Sequence, residues 1–406
     1  MRQQREQTMT HSSLFKTYNR APVSFATGQG CWLNGSDGRR YLDMGSGIAV
    51  NSCGHQHPHL VAKLQEAAAG VWHTSNLFEI PEQTRLAERL AAATFADKVF
   101  FCNSGAEANE AAIKAARRYH FVNGAPEKVR IITMQGAFHG RTLGTIAAGG
   151  SPKYLEGFGE PLAGFDQVPF GDLEALKAAI TPETGAILVE PVQGEGGIRT
   201  LDPAVLRAIR QIADDNDLLL VFDEVQTGMG RFGTLFAYQE VGVTPDILSS
   251  AKGLGGGFPI GACLATDAAA AGLVPGTHGT TYGGNALACA VGNAVLDVVM
   301  ADGFLDEVRR KGLVAKQLLA GVVDSHPEIY KAVRGDGLML GIECRAPAGE
   351  VTNAAREAGL IVIPAAENTT RLLPPLVVTD EELREAARLL EVTAETLEKK
   401  SAEATT

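Results

Sequence analysis

The chain has 406 residues, 45% of them hydrophobic and 20% charged, with a formal net charge of −11. This is the balance of a globular protein long enough for two or three domains around a substantial core. The negative charge, without any long Lys/Arg cluster, excludes a nucleic-acid binder, because displacing counterions from phosphates takes a basic face; an anionic ligand must be caught by local cations or helix N-termini.

The opening stretch MRQQREQTMTHSS lacks the apolar segment of a secretory signal and reads as a polar tail, with Met9 a second candidate start beside Met1. Residues 20–45 alternate short strands with Gly and Asp turns, which predicts a small meander. In HQHPH (55–59) alternate histidines could share a strand face, but Pro58 interrupts it and no Cys, Asp or Glu stands beside them. A loop and helix start is expected there, and no metal site. Between 98 and 265 come the apolar runs KVFFC, VRIITM, GAILVE, LLLVFDE, DILSS and GACLA, separated by helical stretches. Continuous apolarity predicts strands buried on both faces, in a mainly parallel sheet covered by helices. LDPAVLRAIRQIADDND is a helix with Asp202 as N-cap and Pro203 at its first position. The run 286–303 is broken by Asn293 and Asp297 and is shorter than the roughly 20 apolar residues of a membrane span, so it reads as a buried helix. Beyond 303 a charged helix, the runs GLMLGIEC, GLIVIP and RLLPPLVV, and a last helix make an α+β unit. The expected division is a segment 1–48 belonging to a small domain, a large α/β domain 49–302, and the rest of the small domain, 303–406. The six scattered cysteines include no C-x-x-C and predict buried free thiols in a reducing cytoplasm.

In an open α/β sheet, ligands bind beyond the carboxyl ends of the strands. There the sequence places NSGAEAN, QGAFHGR, EPVQGEGG, DEVQTGMGR and Lys252. Ser104, Gly105 and Ala106 open a helix whose free N–H groups could grip a phosphate, or Ser104 and Glu107 form only a capping box. A nucleotide phosphate loop is absent: there is no Gly-Lys dipeptide, and Phe258 stands where a G-x-G-x-x-G needs its last glycine. Asp223 or Glu224 could cap a loop, pair with Arg231, or hold a protonated heterocycle nitrogen. Lys252 could be a paired cation, or an amine desolvated so that its free base attacks a carbonyl. Taken together, a phosphate cradle, an acid and an amine at neighbouring strand ends match pyridoxal phosphate, with Phe138 available to stack on the ring and His139 in support.

The stretches GHQHP, NSGAEANEAAIKAAR, GAFHGRTLG, EPVQGEGG, LVFDEVQTGMGR, GVTPDILSSAKGLGGGFPIGA and HGTTYGGNALACA carry a resemblance to the class III (subgroup II) pyridoxal-phosphate aminotransferases, and within them to the acetylornithine branch. The resemblance runs from Tyr18 to the last helix. It implies fold type I, with a large sheet domain and a smaller α+β domain built from both termini. It implies that Lys252 bonds to the cofactor aldehyde and shuttles the proton, and that Asp223 pairs with the ring nitrogen. Gln226 would contact the ring hydroxyl, Val225 and Phe138 would sandwich the ring, and the Gly105 and Ala106 amides would bind the phosphate. Ala106 stands where many relatives have threonine, so one hydroxyl donor is missing. Thr281 would reach the phosphate in the neighbouring subunit of a homodimer. Thr280 and Tyr18 would approach substrate, Arg141 would take the α-carboxylate, and Arg371 would be a second carboxylate site with Glu195 as its resting partner. The implied reaction moves the δ-amine of N-acetylornithine to 2-oxoglutarate in two alternating half-reactions, with no nucleic-acid or membrane partner. Succinylornithine, N-succinyl-diaminopimelate, ornithine or 4-aminobutyrate are the alternative donors, and a non-catalytic cofactor-binding relative is the remote alternative.

Overall fold

The computed structural model describes residues 13–405, so Met9 and most of the polar tail lie outside the described residues. Seven strands form the central sheet: β1 (Lys98–Cys102), β2 (Arg130–Met134), β3 (Phe165–Val168), β4 (Thr184–Val189), β5 (Leu219–Asp223), β6 (Ile247–Ser250) and β7 (Gly261–Ala265). Their order is β1-β7-β6-β5-β4-β2-β3. β7 runs antiparallel to both neighbours, and the remaining pairings are parallel. Every residue of β4, β5, β6 and β7 is buried, which is why these strands read as unbroken apolar runs. β3 is the strand the sequence did not announce. Its FDQV lies at the sheet edge, half-buried and polar at its centre.

Helices cover both faces. On one, α1 (Gly105–Val122) lays Ala111, Ala112 and Ala115 against Leu188, Val221 and Ile247. A face of alanines lets the helix axis come close to the sheet. On the other, Leu206 and Ile209 of α2 (Pro203–Asp215) pack with Ile187, Leu220 and Leu248. Each such fully buried aliphatic side chain contributes about 1.5–3 kcal/mol over its exposed state. α2 starts as expected, Asp202 accepting the Ala204 N–H at 2.7 Å with Pro203 behind it. The apolar run after residue 285 is the buried helix α3 (Ala286–Val299). Among the described residues no single helix is long and apolar enough to cross a membrane.

The two ends of the chain build together. Strands Phe25–Gln29, Trp32–Gly35 and Arg40–Asp43 form the expected meander, and Leu360–Ile361 joins it parallel to Arg40–Asp43. A second antiparallel sheet holds Tyr330–Asp336, Met339–Cys344, Thr369–Leu372 and Ile363–Ala365 in that order. The stretch RLLPPLVV is a strand only to Leu372, since Pro374 and Pro375 cannot donate to a ladder. All six cysteines are buried free thiols. His55 pairs with Asp43 and His59 with Asp297, each at 2.8 Å, so these two histidines serve separate carboxylates, and Pro58 opens the helix Pro58–Ala68.

One local conformation is unusual. Ser46, Gly47, Ile48 and Ala49 all have positive φ, between 43° and 65°. A left-handed residue with a Cβ costs about 1–2 kcal/mol. Asp43 offsets part of this by accepting the Gly45 and Ser46 N–H groups at 2.9 and 2.8 Å, and Ser46 Oγ donates to the Leu373 carbonyl at 2.6 Å. The turn delivers Val50 to the wall of a cavity at the carboxyl ends of the parallel strands.

Candidate active site

That cavity has a volume of about 430 Å³, within the range of small-molecule sites. Its lining includes Gly105 and Ala106 after β1, Phe138 and Arg141 after β2, Asp223, Val225 and Gln226 at the end of β5, and Lys252 after β6. These eight residues, chosen from the sequence, come together in space.

Lys252 sits in the short turn Lys252–Leu254 with φ of 43°. A lysine in the left-handed region is held there by its surroundings, at a cost of about 1–3 kcal/mol. The glycines behind it make the turn possible: a Cβ on Gly255 would lie 1.8 Å from the Phe258 carbonyl oxygen, and Gly256 has φ of +53°. Burial lowers the Lys252 amine to about 8, partly opposed by the charge of Glu195. At pH 7 about a tenth is therefore free base, the nucleophilic form, far more than for a solvated lysine.

Asp223 is buried and surrounded by donors. Its Oδ2 accepts from His139 Nδ1 at 2.8 Å and Asn109 Nδ2 at 2.7 Å, and its Oδ1 accepts the Val225 N–H at 3.0 Å. A carboxylate offers about four acceptor positions, so roughly one remains for a donor in the cavity. The bond to Asp223 puts a proton on His139 Nδ1, and Nε2 is buried and without a partner among the described residues. Glu224 points elsewhere. It accepts the Ala237 and Tyr238 N–H groups at 2.6 and 2.8 Å and the Thr227 hydroxyl at 3.0 Å, capping the helix Ala237–Val241. Arg231 pairs with neither acid and donates to the Leu338 and Pro374 carbonyls.

The start of α1 forms the opposite wall. Ser104 Oγ accepts the Glu107 N–H at 3.2 Å, while Glu107 reaches past Ser104 to the Asn103 N–H, a variation on the expected capping box. The first two amides, of Gly105 and Ala106, have no intrahelical acceptor and line the cavity. The helix start lies so close to Val225 that a Cβ on Gly105 would stand 2.7 Å from Val225 Cγ1.

Behind Gln226 lies the second cation. Arg371 is buried and donates to both carboxylate oxygens of Glu195, at 2.6 and 2.9 Å, and to Gln226 Oε1 at 3.1 Å. Burial pushes the Glu195 carboxyl up, and the Arg371 guanidinium more than offsets this, leaving it below the usual range. The predicted resting pair is therefore formed, one layer behind the lining. Arg141 differs: among the described residues it makes no hydrogen bond or ion pair, and its guanidinium lies over the Tyr154 ring, 4.1 Å from the centroid.

The class-III aminotransferase model matches residues 15–393. The chain belongs to this family. Acetylornithine aminotransferase from Agrobacterium fabrum is 60% identical over 389 residues, 96% of this chain and 98% of that protein. The N-acetylornithine aminotransferase structure from Stenotrophomonas maltophilia is 37% identical, with a TM-score of 0.83 over 94% of this chain and 98% of that one. An ornithine aminotransferase structure from Toxoplasma gondii, described with partial occupancy of PLP at its active site, is 32% identical, with a TM-score of 0.90 over 95% and 93% of the two chains.

The residues of this class-III aminotransferase fit pyridoxal phosphate. The remaining acceptor position of Asp223 suits a ring N–H, the two open amides of α1 suit a phosphate, and the Lys252 amine suits an aldehyde. Val225 and Phe138 line the cavity as candidates for the two ring faces. Besides Glu195 and Arg371 behind it, three predicted residues stand outside this lining. Thr281 is exposed, Tyr18 is exposed and stacked by Arg20, and Thr280 accepts from the Gly283 N–H and the Asn103 amide. Glu190 and Asn109, both in the cavity, receive no role from the sequence. Glu190 follows β4 and accepts the Phe138 N–H at 3.0 Å; burial and then the charge of Asp223 push its carboxyl well above the usual range. Asn109 ties Asp223 to the His139 carbonyl. Glu190 carried the same signal as Asp223, an acid at the end of an apolar strand. Asn109 carried a weaker one, its position one helical turn beyond Gly105 on the face turned to the cavity.

Proposed function

We propose that the chain is an acetylornithine aminotransferase acting in arginine biosynthesis, moving the δ-amino group of N-acetylornithine to 2-oxoglutarate and releasing N-acetylglutamate 5-semialdehyde and glutamate. The observation that carries this reading is the arrangement of two guanidinium groups, one unpaired at the cavity and one masked by a carboxylate. An enzyme that must take a monocarboxylate donor and a dicarboxylate acceptor in turn needs one carboxylate site always open and one that can be hidden. The choice of acetylated donor rests on the 60% identity to the Agrobacterium enzyme.

Pyridoxal phosphate, when bound, supplies an aldehyde for amine exchange and a protonated ring that takes up the electrons of a breaking C–H bond. In our reading Asp223 keeps the ring nitrogen protonated, and His139 and Asn109 hold that carboxylate in place. The Gly105 and Ala106 amides anchor the phosphate, and Val225 and Phe138 confine the ring. Arg141 binds the donor α-carboxylate through the planar fork that suits it. With the cofactor bound, Lys252 Nζ as free base would take the proton from the donor δ-carbon and pass it to the cofactor carbon that receives the amine. Glu195 covers Arg371 while the donor is bound and swings aside for the second carboxylate of 2-oxoglutarate.

We also propose a homodimer in which Thr281 of one subunit reaches the phosphate site of the other. What supports it is the position of Thr281, outside its own cavity and next to the exposed Tyr282, whose ring lies 5.4 Å from His73 in a loop that also exposes Trp72, Leu77 and Phe78. A patch of that kind marks an interaction surface.

Assay of glutamate formation from N-acetylornithine and 2-oxoglutarate tests the assignment. Lys252→Ala is expected to lose at least the roughly 10²–10⁴-fold of acid–base catalysis while still binding cofactor non-covalently. Turnover near that of the unaltered protein would remove Lys252 from the reaction.

A further inference from the structure

Among the described residues Arg141 has no anionic partner, and its long side chain is held in the cavity by other contacts. Its backbone is fixed by the helix start beside it. Thr142 caps the helix Leu143–Gly149, accepting the Thr145 N–H, and Thr145 Oγ1 accepts the Thr142 N–H at 3.0 Å. The guanidinium itself rests in a corner between two rings, 4.1 Å from the Tyr154 centroid and 5.3 Å from that of Phe138. The rings meet edge to face, with centroids 5.9 Å apart at 80°. Tyr154 is carried by the short helix Pro152–Leu155, and Lys153 Nζ stands 6.0 Å from the same ring, adding positive potential.

We propose that Tyr154 is a positioning residue for the donor carboxylate: its ring face holds the Arg141 guanidinium by cation–π contact so that the N–H edge is presented, already ordered, to the incoming anion. A planar guanidinium can stack by its face and hydrogen-bond by its edge at the same time, which an ammonium cannot. Holding it this way removes part of the side-chain entropy otherwise lost on binding. This inference rests on the reading of Arg141 as the carboxylate site.

The test uses the holoenzyme and two donors, N-acetylornithine and N-acetyl-1,4-diaminobutane, which is the same molecule without its carboxylate. Tyr154→Leu and Tyr154→Met, which remove the π face, should each raise the half-saturating concentration of N-acetylornithine about 3–30-fold, equivalent to about 0.6–2 kcal/mol. The half-reaction with N-acetyl-1,4-diaminobutane should stay within about twofold, and Tyr154→Phe should behave as the unaltered enzyme. An equal loss for both donors, or no change for either, overturns the proposal. Arg141→Leu separates the two layers. If it weakens N-acetylornithine while the Tyr154 variants do not, only the role of Tyr154 fails. If it leaves N-acetylornithine unchanged, the carboxylate reading falls and this inference with it.

Discussion

Lys252 joins two costs, a left-handed backbone and a buried amine, at the end of a strand. Burial lowers that amine from 10.5 to about 8. Below pH 8 the ammonium form predominates and cannot attack an aldehyde; above it the free base does. The rate at which cofactor-free protein captures pyridoxal phosphate, followed by absorbance, should therefore rise with pH through a midpoint near 8. A midpoint near 10.5 would mean that the amine is solvated. The sequence made the position of Lys252 legible, because an apolar run leading into a lysine and glycines marks a strand end. It did not show the positive φ or the orphaned His139 Nε2, since each depends on what distant segments pack around it. The two carboxylates of DEV illustrate the limit. Asp223 and Glu224 are adjacent and chemically alike, yet one lines the cavity and the other caps a helix more than ten residues on.

At the scale of elements, the site depends on how closely α1 approaches the end of β5. The Gly105 backbone lies against Val225, and a methyl group there would meet Val225 Cγ1 at 2.7 Å. Gly105→Ala should push the two apart at a cost of about 1–3 kcal/mol, read as cofactor affinity weakened about tenfold. In a Val225→Ala background, which has already lost one ring contact, Gly105→Ala should weaken affinity no further; an equal loss in both backgrounds would place the strain elsewhere. The buried strands were legible because burial on both faces leaves runs without polar interruption. β3 was not, lying at the sheet edge with Asp166 and Gln167 at its centre, and neither were strand Tyr330–Asp336 and helix Ala348–Glu357. Tyr330–Asp336 is mostly half-exposed and lacks an apolar period, whereas Ala348–Glu357 buries Ala348, Val351, Ala354 and Ala355 at helical spacing, a signal weakened because three of the four are small alanines. The left-handed turn at Ser46–Ala49 has no sequence signal at Ile48 or Ala49, because such residues adopt it only when Asp43 and Leu373 hold the turn from outside.

For the whole molecule, the two termini share a sheet, and the second sheet carries Arg371 to the edge of the large-domain cavity, where Glu195 meets it. The reading of Thr281 extends this assembly to a second copy. Subunits carrying Thr281→Ala and subunits carrying Lys252→Ala should each be poorly active at limiting cofactor. After subunit exchange one site in each mixed dimer holds Lys252 together with Thr281 from its partner, so activity should recover. No recovery would confine Thr281 to its own chain. The central claim, that a Lys252-bound cofactor takes the amine of acetylornithine, is tested most directly by the visible spectrum of the purified holoenzyme during titration without acceptor. N-acetylornithine should discharge the cofactor band stoichiometrically, 2-oxoglutarate should restore it, and 4-aminobutyrate at the same concentration should leave it standing. Discharge by 4-aminobutyrate but not by N-acetylornithine, or a protein with no affinity for pyridoxal phosphate, would contradict the account.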